Sequence, residues 1–107
     1  MNTKHLGICE ITQGNINNNH INLRELIDKF PADVQGGRNK AAAALKQISV
    51  DYGGVSPIET DIDETKNIFR NRKFIREFFE RHKIKKGGRV AVDEIGPYKY
   101  KIYLAAS

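Results

Sequence analysis

Between Lys73 and Glu94 the chain spells an amphipathic helix, a Lys-Lys-Gly-Gly turn and a strand, the order of a barrel-closing unit. Phe74, Ile75, Phe78 and Phe79 recur at helical spacing, so they form one apolar face, while Arg72, Lys73, Arg76, Glu77, Glu80 and Arg81 fill the other. Ile84 extends the apolar contact, Gly87-Gly88 ends the turn, and Arg89-Val-Ala-Val92 begins a strand. The segment is also strongly basic. From Lys66 to Arg89 there are ten Lys/Arg against two Glu, a local net of +8, while the other segments carry eight basic and eleven acidic residues. The overall +5 therefore averages two different surfaces, and the basic one suits a polyanion.

The chain has 107 residues, the size of one domain over 1–107 with a modest core that needs no metal or disulfide. Its single cysteine, Cys9, lies near Ile8 and Ile11 in a predicted strand and reads as a buried thiol, in keeping with a reducing cytoplasm. No apolar run approaches the roughly 20 residues that span a bilayer, and the N-terminus has no signal-peptide core. The expectation is a cytoplasmic protein without a membrane partner.

Lys4 to Thr12 alternates as a strand, and Gln13 to His20, dense in Asn and Gly, reads as a loop. Ile21–Leu23 alternates again. Leu23, Leu26, Ile27 and Phe30 predict a short helix over 24–30, stopped by Pro31. Gln35 to Lys40 is a second, basic loop, and Ala41–Ala44 would be helical only with tertiary support. Ile48, Val50 and Tyr52 mark a strand that turns at Gly53-Gly54, and 55–62 returns antiparallel, with Pro57 placing it at an edge. DIDETK (61–66) is a polar lead into the long helix. Arg89–Glu94 and Tyr98–Leu104 form the last two strands. The fold class is α+β: a small open antiparallel β-barrel of about seven strands with two helices.

Two segments give this order a likeness. Ile21–Pro31 (INLRELIDKFP) is similar to the strand-helix-Phe-Pro element of the B-three-type DNA-binding pseudobarrel. Lys73–Val92 (KFIREFFERHKIKKGGRVAV) is similar to that family's Trp-x-x-Phe-Val … Leu-x-x-Gly-Asp-x-Val element. Gly88 stands where the family carries Asp, and Phe74 where plant hormone-response members often carry Trp. The specificity domains of restriction endonucleases are the closer match. The resemblance implies sequence-specific double-stranded DNA binding, with two loops gripping the major groove. It also implies a role as recognition module of a restriction or defence system, partnered by a nuclease or other effector domain or subunit.

Onto this chain the two loops fall at Gln13–His20 and at about Thr60–Lys73. Their chemistry fits base reading without the family. Asn and Gln amides match the N6/N7 edge of adenine, and Arg matches guanine O6/N7. The first loop supplies Gln13, Asn15, Asn17, Asn18 and Asn19; the second supplies Lys66, Asn67, Arg70, Asn71, Arg72 and Lys73, mostly for phosphates. Arg38, Asn39 and Lys40 are a third candidate contact. Lys85, Lys86 and Arg89 read instead as complements of a helix C-terminus, as does His82. His5, His20 and His82 lack metal-ligand spacing, so no metal or cofactor is expected. Tyr98, Tyr100 and Tyr103 read as core and rim residues of the closing hairpin rather than as stacking platforms.

The chain reads as a binding domain rather than an enzyme, although one catalytic alternative competes. Glu64-Thr-Lys66 with Asp51 upstream spells the carboxylate–lysine set of a metal-dependent nuclease. That set normally rides on an apolar strand, whereas DIDETK is polar. A basic barrel that binds RNA or an acidic protein is the other alternative.

Overall fold

The computed structural model describes residues 3–105. Eight strands and two α-helices follow in the order β1 (Lys4–Glu10), α1 (Gln13–Asn18), β2 (Gln35–Gly36), β3 (Ile48–Asp51), β4 (Ile58–Thr60), β5 (Ile62–Asp63), β6 (Ile68–Phe69), α2 (Lys73–His82), β7 (Arg89–Gly96) and β8 (Lys99–Leu104). They build a five-stranded sheet, ordered β1-β7-β8-β3-β4, and a three-stranded sheet, ordered β2-β5-β6. The α+β class stands. The sheets are mixed rather than antiparallel, however, because β3 runs parallel to β8 and β2 parallel to β5. A parallel pair needs a long crossover, and the connection from β3 through α2 and β7 to β8 supplies one.

The final unit forms as its periodicity predicts. Phe74, Ile75, Phe78 and Phe79 of α2 are buried, Lys83 closes the helix in the left-handed conformation (φ 51°), and β7 and β8 pair antiparallel. Ile48 and Val50 of β3, with Tyr52 just beyond it, are buried, and β4 forms the far edge of the large sheet, as Pro57 led one to expect. An aromatic chain then joins the layers. Tyr100 of β8 meets Phe30 at 4.7 Å between ring centroids, Phe30 meets Phe69 of β6 at 6.4 Å, Phe69 meets Phe74 of α2 at 5.9 Å, and Phe74 meets Tyr52 at 5.4 Å. Every ring in it is buried, so the two sheets and α2 share one core.

The helix expected over 24–30 is instead a turn followed by a single 3-10 turn at Ile27–Lys29. Leu26 and Phe30 are buried as the spacing implied. A seven-residue helix without a capping box recovers little of its nucleation cost, and the Asn22 side chain takes the Arg24 N–H at 2.9 Å, so burial of the anchors is achieved without a regular helix. Ile21–Leu23 forms no strand, and Leu23 N–H donates to Asn67 O at 2.7 Å. The first helix lies earlier, in the Asn-rich segment read as a loop. DIDETK, read as a lead into α2, contributes β5 and the turn into β6. The alanine run forms no α-helix: Ala41 and Ala42 belong to a 3-10 turn at Lys40–Ala42, and Ala43 and Ala44 are irregular.

Phe78 is fully buried at the centre of the α2 face. Replacement by Ala should cost about 3–5 kcal/mol of unfolding free energy in urea titration, with an unchanged denaturant slope if the native fold is kept.

Candidate nucleic-acid interface

The short helix α1 exists because Thr12 and Asn15 cap each other. Thr12 Oγ1 accepts from Asn15 N–H at 3.1 Å, and Asn15 Oδ1 accepts from Thr12 N–H at 3.0 Å. Asn19 closes the helix in the left-handed conformation (φ 54°), which Asn tolerates. The Thr-x-x-Asn pattern was the available signal, masked by its departure from the usual Glu or Gln at the last position. Since Asn15 Oδ1 is an acceptor, its Nδ2 donates to His20 Nδ1 at 3.1 Å, and neutral His20 carries its proton on Nε2. Asn15 is buried and both ends of its amide are engaged, so its work is to build α1. Gln13 donates to Asn17 Oδ1 at 3.0 Å, and Asn18 Nδ2 to Gly14 O at 2.9 Å. Asn17 and Asn18 are exposed, and Asn17 Nδ2 and Asn18 Oδ1 have no partner among the described residues.

The second segment arrives beside the first. Asn17, Asn18 and Asn19 line one surface cleft with Arg72, Lys73 and Arg76 from the start of α2. His20 reports the same proximity. Burial, then the charges of Arg72 and Lys66, push its pKa below the usual histidine value. The first turn of α2 holds no acidic residue and Arg72 offers no capping side chain; Lys73 N–H donates to Asn71 Oδ1 at 3.0 Å. Two cations thus sit at the positive end of a helix, where anions are favoured.

Arg70 has a different duty from Arg72. Its Nε donates to Asp61 Oδ1 at 2.6 Å and its Nη2 to Asp61 Oδ2 at 3.0 Å. The remaining donors reach Gly37 O at 2.7 Å and Asn39 O at 3.1 Å. Asp61 is buried and also accepts from Ala44 N–H at 2.8 Å. The hydrogen bond to Asp61 is the main reason the Arg70 pKa is raised. Both ends of the loop 37–44 are thereby pinned to the β5–β6 hairpin. Gly36 permits the close approach, since a Cβ there would fall 2.4 Å from Ala44 N.

That loop presents Arg38 and Lys40 exposed, while Asn39 Oδ1 caps Ala42 N–H at 3.1 Å and its Nδ2 has no partner among the described residues. Arg38, Lys40, Lys66, Arg70 and Arg72 line a second cleft, which meets the first at Arg72. Asn67 is half-buried in the left-handed conformation (φ 57°) and closes the β5–β6 turn, with its N–H on Asp63 O at 2.8 Å. Arg38, Lys40, Lys66, Arg72 and Lys73 form no ion pair among the described residues.

The nuclease set is divided between the sheets. Asp51 ends β3 and accepts from Gly53 N–H at 2.9 Å, whereas Glu64 and Lys66 lie in the exposed turn between β5 and β6. Among the described residues no group of three or more His, Cys, Asp or Glu is clustered to hold a metal ion, and no helix is long and apolar enough to cross a membrane. Cys9 is buried, and burial pushes its thiol up to about 11. His82 packs on the Phe78 ring at 4.7 Å, at the helix end where a cation is favoured. Tyr100 is core, and Tyr98 donates to Asp33 Oδ2 at 2.9 Å. Comparison with protein-family models, with curated proteins and with solved structures finds no match.

Two measurements probe this architecture. Breaking the buried pair by Asp61→Ala or Arg70→Ala should cost about 3–5 kcal/mol each in chemical denaturation, and the double variant should cost less than their sum. His20 gives a pH signature. Its folded pKa lies below the unfolded value of about 6.5, so the unfolded chain takes up the proton first as pH falls. Its contribution is therefore complete above that value and declines below it. Melting temperature should fall between pH 7.5 and 5.5 more steeply in the wild type than in His20→Gln.

Proposed function

We propose that this protein binds double-stranded DNA sequence-specifically in the major groove, with α1 reading base edges while the start of α2 and the loop 37–44 hold the backbone. The observation that carries the proposal is the convergence of Asn17–Asn19 with Arg72 and Lys73 on one cleft, across more than fifty residues of chain. Amide groups that match adenine stand beside cations that no carboxylate neutralises, which is the division of labour between base and phosphate contacts. Arg38, Lys40 and Lys66 continue the cationic surface beyond Arg72. Arg70 and Asn15 act as supports in this mechanism, and the half-buried Asn67 shapes the turn that carries Lys66.

The five- and three-stranded sheets around a shared aromatic core support an open pseudobarrel of the B-three type. The likeness of INLRELIDKFP and of the helix–Lys-Lys-Gly–strand unit to that family further supports a recognition module of a restriction or defence system. Such a module would act in the cytoplasm with a nuclease or other effector as partner, contributing no catalysis itself.

Selection from a randomised duplex pool should enrich a motif of several base pairs, and salt titration of the winners should give a steep negative slope. Asn17→Ala with Asn18→Ala should reduce discrimination between the selected motif and scrambled DNA by about tenfold or more, while nonspecific affinity persists. Arg72→Ala or Lys73→Ala should weaken all sequences and lower the salt slope by about one unit per lost phosphate contact. Salt-sensitive binding with no enriched motif would reject sequence reading. Preference for RNA over every duplex would reject DNA as the partner.

A further inference from the structure

The cleft between the loop 37–44 and the β5–β6 hairpin is more than a backbone track requires. Duplex phosphates need only an exposed cationic surface, and Arg72 and Lys73 beside α1 already present one. Here the surface is concave, about 520 Å³ in volume, within the range of about 300–1,000 Å³ typical of small-ligand sites. Its rim carries Arg38, Lys40, Lys66 and Arg72, none of them in an ion pair among the described residues.

The rest of the lining is chemically different: Asp61 and Asp63 are buried, Asn71 is half-buried, and Gln47 and Glu59 are exposed. Of its three carboxylates, Asp61 is satisfied by Arg70 and Ala44, while Asp63 accepts from Thr65 through Oδ1 alone. What remains to meet a ligand is the amide of Gln47, the Nδ2 of Asn71, the carboxylate of Glu59 and the Oδ2 of Asp63. Cations beside free amide and carboxylate groups in one cleft can bind a phosphate on one side and the polar edge of a heterocycle on the other. A nucleotide has that composition, and a bare phosphate leaves the amides without partners.

We infer that this cleft receives a single unpaired nucleotide of a bound DNA strand, its phosphate among the rim cations and its base edge toward Gln47 and Asn71. The inference rests on the DNA-binding proposal and adds a distinct step to it. The nucleotide leaves the stack at the edge of the duplex footprint, beyond Arg72 from the α1 cleft. The unstacking penalty is smallest for a mismatched base, which gives a second readout.

The test uses the selected duplex with 2-aminopurine substituted at each position in turn and an end-attached dye to follow binding by anisotropy. On saturation with the full chain, 2-aminopurine emission should rise several-fold at one position or two adjacent ones. That rise should fall in Gln47→Ala, measured at concentrations that saturate the duplex. Gln47 is exposed and makes no hydrogen bond among the described residues, so its replacement does not threaten the fold. A mismatch at the responsive position should tighten binding by about tenfold. Saturated binding with no rise at any position would overturn the inference and leave the DNA proposal standing. A rise unaffected by Gln47→Ala would place the displaced base elsewhere and equally overturn it. Absence of anisotropy change with every duplex would remove the DNA proposal and this inference together.

Discussion

The ion pair between Asp61 and Arg70 organises everything this protein presents on its basic face. It joins the two ends of the β5–β6 hairpin, where Arg70 N–H also donates to Asp61 O at 2.9 Å. It gathers the loop 37–44 through Gly37, Asn39 and Ala44. Two residues further on, the chain enters α2 with Arg72 and Lys73 exposed. A planar guanidinium suits this task because its donors diverge in a fixed fork, so one side chain can satisfy a carboxylate and two carbonyls together.

That pair supplies geometry more than stability. Its two partners lose hydration on burial, and the attraction between them roughly offsets that loss, so the net gain from such a pair is small even though removing one partner is costly. The free energy that holds the molecule together comes from the apolar faces, above all the aromatic series from Tyr100 through Phe30, Phe69 and Phe74 to Tyr52. The division is useful for a binding surface. The core fixes the two sheets and α2, and the polar cluster then sets where the cations stand.

Those cations are arranged against the interest of the free protein. Arg72 and Lys73 occupy the positive end of α2, and Lys66 and Arg72 stand close enough to His20 to disfavour its protonation. Charges of one sign held together without counter-charges cost stability, and an anionic ligand would relieve that cost on binding. By contrast Arg76 and Arg81, farther along the same helix, have Glu80 and Glu77 as partners at 3.1 Å. Within α2 itself the imbalance lies at the end that adjoins α1.

Local pattern was enough to reveal α2, its buried face, the closing hairpin and the strand at Ile48–Asp51, because their apolar spacings are long, regular and matched by turn residues. It was also enough to reveal the charge asymmetry, which is a property of composition. It misplaced the first helix. Leu26 and Phe30 have helical spacing yet are buried by a 3-10 turn, while the Asn-rich stretch becomes α1 through a capping pair with little propensity behind it. The roles within the basic set lay further out of reach. Arg70 and Arg72 are equivalent in the sequence. Arg70 turns inward because folding brings Asp61, Gly37 and Asn39 to its guanidinium, and Arg72 meets water. Residue type and spacing are carried by the chain itself, whereas partnership depends on which distant groups arrive at the same place, and that is settled only when the two sheets close on their common core.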